Sequence, residues 1–102
     1  MIDTTKAIVE LDGTAIPGKD GSLILRTVLC NALLGNVQEP LSGEAHLIRY
    51  NLALRIHEND SITLTSEETV LCKECVAKMY TPLIVGQVFY TLEPVLATRG
   101  ED

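Results

Sequence analysis

Tryptophan is absent from this 102-residue chain, and its aromatic complement is three tyrosines and one phenylalanine. A core made from such a composition is aliphatic, of leucine, valine and isoleucine. Cysteine is scarce and odd in number, three residues, which argues against the paired disulfide framework of a small secreted domain. Basic residues are outnumbered by acidic ones, eight against fourteen, and the net charge of -6 repels phosphates at long range. A general nucleic-acid-binding role is thereby disfavoured. No apolar run approaches the ~20 residues that cross a bilayer. Met1-Ile2-Asp3-Thr4-Thr5-Lys6 has neither the basic start nor the apolar stretch of a signal peptide. The expectation is a chain without a membrane segment, at home in a reducing cytoplasm.

What is present suits one folded domain over residues 1–102, with 46% hydrophobic and 22% charged residues. Residues 1–24 read as β-rich. Lys6-Ala7-Ile8-Val9-Glu10-Leu11 runs into Asp12-Gly13, a dipeptide that tolerates a tight hairpin turn. Thr14-Ala15-Ile16 can return before Pro17 stops it, and Gly18-Lys19-Asp20-Gly21 makes a second turn ahead of Ser22-Leu23-Ile24. The prediction is a small β-hairpin or meander.

Residues 25–93 read as helical. Leu25, Val28, Leu29, Ala32 and Leu33 recur at helical spacing, with Gly35 placed for a left-handed cap. Ser42 is an N-cap for a second helix to His57, with Glu44 in its first turn. Its apolar residues (Ala45, Leu47, Ile48, Tyr50, Leu52, Ala53, Leu54, Ile56) cover more than one stripe, which predicts packing on two sides. Ile62-Thr63-Leu64 reads as a short strand that pairs with the N-terminal strands. Thr65 and Glu68 have the spacing of a capping box, so a third helix starts at Ser66 and stops near Tyr80. Thr81-Pro82 opens a fourth helix that runs to Glu93 and is closed by Pro94, and residues 97–102 read as a flexible tail. The fold expected is α+β, a small β element packed with a compact bundle of about four helices.

The residues with chemical potential are few. Cys72-Lys73-Glu74-Cys75 could hold half a zinc site, with Cys30, His46 or His57 as further ligands. The two histidines, eleven residues apart on one helix, are separated by about 16 Å and cannot share a metal. Cys72 and Cys75 are the seventh and tenth residues of their helix, beyond the first turn whose free N–H groups lower a thiol's pKa. With Val76 and Met79 they form one face, which reads as core. Arg26, Arg49 and Arg55 could make a local basic patch for nucleic acid. No nucleophile elbow, phosphate-cradling glycine motif or spaced acid–base set is present, so no enzyme and no cofactor are expected. Gly86 stands inside the fourth helix, where it costs about 1 kcal/mol relative to alanine and suggests the close approach of another backbone, in the same fold or in a partner.

Several stretches together resemble small accessory proteins of tailed bacteriophages and prophages. They are Leu11-Asp12-Gly13-Thr14 with Ile16, Leu25-Arg26-x-Val28-Leu29-x-Asn31-Ala32-Leu33-Leu34, Arg49-Tyr50-x-Leu52-Ala53 with Ile56, and Tyr80-x-Pro82-Leu83-Ile84-Val85-Gly86-Gln87. The resemblance spans most of the chain and implies a phage accessory protein made in the bacterial cytoplasm, without active-site residues. The helices carry more apolar surface than a domain this small readily hides, so a protein partner or self-association into a homo-oligomer is expected. The function expected is thus a non-enzymatic interaction or assembly factor. The alternative is a small regulator that binds metal through Cys72 and Cys75 or nucleic acid through Arg26, Arg49 and Arg55.

Overall fold

The computed structural model describes residues 2–18, 21–35 and 40–92. In chain order it contains β1 Ile2–Asp3, β2 Pro17–Gly18, β3 Gly21–Ser22, α1 Leu25–Leu34, α2 Gly43–Glu58, β4 Ser61–Ile62, α3 Ser66–Met79 and α4 Pro82–Leu92. This is the α+β arrangement anticipated, a helical bundle with a small β region at the N-terminus. Lys19 and Asp20 of the expected turn, Asn36 and Glu39 of the first interhelical loop, Glu93, Pro94 and the tail at 97–102 lie outside the described residues.

The helix starts follow from their side chains. Ser42 accepts a hydrogen bond from the Ala45 amide, and Thr65 and Glu68 form a complete capping box at the start of α3. α1 is capped differently. Ile24 offers no side-chain acceptor, and the amides of Leu25 and Arg26 donate instead to the carbonyls of Lys6 and Thr4, at 2.8 and 2.7 Å. The N-terminal segment therefore satisfies two of the donors that a helix start leaves free.

The β region is more broken than expected. β1 pairs antiparallel with β4, Ile2 opposite Ile62, so the pairing uses Ser61–Ile62 and leaves Thr63 and Leu64 outside the strand. Residues 6–11 form no continuous strand; Ala7 bridges to Ile24 and Val9 to Ala15. Gly13 supplies the positive φ that the turn at Asp12-Gly13 requires. Pro17 belongs to β2 rather than ending the β element: it stands opposite Ser22 in a two-residue pairing, where a missing N–H is tolerated.

α1 packs against both α2 and α3, and α3 against α4. α1 is thus the middle of the bundle, and Leu25, Val28 and Leu29 are wholly buried with Ile8, Ile56, Cys72, Val76 and Val88. Ile8 carries the β region into this core. Each such side chain contributes about 1.5–3 kcal/mol by leaving water.

Two glycine expectations change. Gly35 ends α1 with extended backbone (φ −73°), not the left-handed cap. Its use is space: a Cβ there would stand 2.0 Å from the Met79 Cε and 2.8 Å from the Asn31 carbonyl. Gly86 meets no close neighbour, since a Cβ added there would have no atom within 4 Å among the described residues, its own helical backbone and sequence neighbours aside. The backbone approach inferred from its position does not occur among the described residues. Gly86→Ala accordingly stabilises the chain by about 0.5–1 kcal/mol through helix propensity, read as a higher midpoint in thermal melts. A destabilised variant would mean that a neighbour occupies that space.

Candidate functional site

Cys72 and Cys75 are buried on α3 together with Val76, whereas Met79, expected on the same face, is exposed. The Cys30 thiol on α1 donates to the Ala53 carbonyl of α2 at 3.4 Å. Burial, reinforced by the neighbouring Cys75, pushes the Cys72 thiol up to about 12. Burial also raises the thiols of Cys30 and Cys75. The thiolate is the form that attacks electrophiles and binds zinc, so this environment holds all three in their unreactive state. Among the described residues no group of three or more His, Cys, Asp and Glu side chains is arranged around a common point for a metal. His46 and His57 are exposed on α2.

Of the three arginines, Arg26 and Arg55 are engaged within the chain, and Arg49 is half-buried on α2. Arg26 reaches from α1 to the end of α2, where it meets Asp60, the Asn59 carbonyl and the hydroxyl of Thr4. Thr4 itself is fully buried and donates its hydroxyl to the Asn59 carbonyl at 2.7 Å. The Arg26 Nε is buried with no hydrogen-bond partner among the described residues. Arg55 grips Glu68 with both guanidinium arms, at 2.9 and 2.8 Å, and donates to the Thr63 carbonyl. Two of the three charges are therefore matched by carboxylates within the chain, joining α1 and α2 to the segments that follow α2.

The Arg55 hydrogen bond, aided by the Thr65 amide, holds Glu68 below the ordinary carboxylate range. A depressed native pKa means stability that is fully present above the unfolded pKa and lost as pH falls through the native one. Glu68→Gln therefore weakens the fold near neutral pH, modestly because the pair is solvent-screened. In acid denaturation followed by circular dichroism, the gap between variant and wild type closes as pH drops. A gap that stays constant with pH would show that the charge of Glu68 has no part in it.

Among the described residues, the far side of α2 faces outward with a row of large apolar side chains. Its inner face, Leu52, Ala53 and Ile56, is buried against α1. At 3.6 residues per turn, Leu47, Tyr50 and Leu54 fall on the opposite side. They are 56%, 55% and 40% exposed. The expectation that α2 packs on two sides is thus met on one side within the chain, and the second apolar stripe is open. Glu44, Asn51, Arg55 and Glu58 line one flank of this stripe, and His46 and His57 the other, all exposed. A helix presenting apolar residues at i, i+3 and i+7 with polar flanks can receive another helix or an apolar groove.

Sequence reasoning grouped the α2 apolar residues as one set and did not separate Leu47, Tyr50 and Leu54 from Leu52, Ala53 and Ile56. The separating signal is angular, about 100° per residue along the helix. It also placed the docking hint at Gly86 rather than on α2. Compared with protein-family models, curated proteins and solved structures, the chain matches none. What it can do is carried by its own geometry. No helix is long and apolar enough to cross a membrane among the described residues.

Proposed function

We propose that this chain is a non-enzymatic interaction or assembly factor that works through the outer face of α2, in the manner of the phage and prophage accessory proteins its sequence resembles. The observation that carries this reading is the open stripe of Leu47, Tyr50 and Leu54 on a helix whose other face is already buried. Large apolar side chains grouped on one exposed helix face are unfavourable in water, and covering them is favourable in proportion to the area removed. The burial of Cys72 and Cys75 and the internal pairing of Arg26 and Arg55 add support, because both features serve the fold itself.

The test is capture from bacterial lysate by the wild-type chain and by a Leu47→Glu, Leu54→Glu variant, alongside binding to DNA and RNA at two salt concentrations. Protein captured by the wild type and lost by the variant supports the reading. Salt-sensitive binding of nucleic acid with no protein captured overturns it.

A further inference from the structure

Resting on that reading, we infer that the occupant of the outer α2 face is the α2 helix of a second copy of this chain, laid antiparallel across a two-fold axis that passes between Tyr50 and Asn51. The sequence of the stripe is self-complementary under that symmetry. Leu47 and Leu54 lie three and four residues on either side of Tyr50, so turning one helix end for end sets Leu47 of one copy over Leu54 of the other. The two Tyr50 rings then meet beside the axis, where an aromatic side chain makes a good anchor.

The charges agree with the same arrangement. A two-fold axis perpendicular to the helices brings each flank against its own counterpart. Glu44, near the start of α2, and Arg55, near its end, lie on one flank. Antiparallel pairing therefore puts Glu44 of each copy opposite Arg55 of the other, twice per dimer. Arg55 has donors to spare: it carries five and uses three on Glu68 and Thr63. Its side chain remains 43% exposed. Glu58 stands at the C-terminal end of its own helix, an unfavourable place for a negative charge, and in the pair it lies beside the partner helix's N-terminal turn, a favourable one. Parallel pairing would gain none of these contacts and would align the two helix dipoles.

Sedimentation equilibrium tests the inference. The wild-type chain is expected at twice its 11.1 kDa mass, and a single-chain mass up to about 100 μM, where a weak helix pair still associates, would overturn it. Leu47→Glu, Leu54→Glu is expected to raise the dimer dissociation constant by more than about 100-fold. Both side chains are exposed, so its circular dichroism is expected to match wild type. A variant that stays dimeric would place the interface elsewhere. The direction of pairing is read from Leu47→Lys, Leu54→Glu: in the antiparallel register the new amine faces the new carboxylate and dimer returns, whereas parallel pairing stacks like charges and the variant stays monomeric. Protein capture that depends on Leu47 and Leu54 in a monomeric wild type would end the second copy as occupant and leave the interaction reading standing.

Discussion

Leu29→Ala lowers the free energy of unfolding by about 2–5 kcal/mol, the largest effect expected of any single substitution discussed for this chain. Leu29 has no exposed surface and sits on α1, the helix that packs on both α2 and α3. Truncating it opens space in the core that α1 shares with α2 and α3, and the Arg26–Asp60 and Arg55–Glu68 ion pairs restrict collapse into it. A domain of this size has about 5–15 kcal/mol of stability in all, so the variant can lose a large share of it. Urea unfolding followed by circular dichroism measures the loss. Leu34→Ala, at the exposed end of the same helix, serves as the control and is expected within about 0.5 kcal/mol of wild type. Equal losses for the two would mean that α1 is not the middle of the bundle.

The second large effect is at Gln87, and it concerns how the β region is held to the helices. Successive residues of an extended chain aim their amides to opposite sides. Ile8 and Glu10 donate inward, to the Leu23 and Thr14 carbonyls, which leaves the amide and carbonyl of Val9 facing the other way. The Gln87 side chain meets both: its Oε1 accepts from the Val9 amide at 2.9 Å and its Nε2 donates to the Val9 carbonyl at 2.7 Å. One primary amide thus stands in for the neighbouring strand that Val9 lacks, and covers an edge that would otherwise be open. Gln87→Met, of similar shape but unable to bond, costs about 1–3 kcal/mol by leaving half-buried backbone groups unpaired.

Gln87→Glu is the more telling substitution. A carboxylate can still accept from the Val9 amide, but its second oxygen faces the Val9 carbonyl with no proton between them. The native state then favours the protonated acid, and its pKa rises above the unfolded value of about 4.3. The sign follows: the penalty is absent below the unfolded pKa, grows as pH rises through the interval between the two values, and is complete above the native one. Unfolding measured across that range is expected to show the variant recovering wild-type stability in acid. A penalty independent of pH would mean that the Nε2 donor is not what matters at this position.

Much of the helical part was legible because its signals are local. Ser42, the Thr65 and Glu68 pair and Thr81-Pro82 each act within one turn of chain, and α2, α3 and α4 start where those residues stand. The start of α1 was legible from periodicity but its cap was not, because the acceptors come from Lys6 and Thr4, nearly twenty residues or more away. The broken strands were misjudged for the same kind of reason. The apolar and β-branched run at Lys6–Leu11 favours extension, but whether extension becomes a ladder depends on which partners arrive, and here they arrive as single bridges. The cysteine face was readable as core from helical spacing alone. Met79 shares that face but stands at the exposed end of α3, where its side chain lies against Gly35, a contact between elements that periodicity does not encode.

The bond between Gln87 and Val9 also has a consequence in time. The two residues are 78 positions apart, and a ribosome adding about 5–20 residues per second delivers the second roughly 4–16 s after the first. During that interval α1, α2 and α3 can assemble through contacts already synthesised, whereas Val9 waits with its backbone edge uncovered. α4 thus closes a segment made well before it, and a chain arrested before α4 presents that edge to whatever extended strand is near.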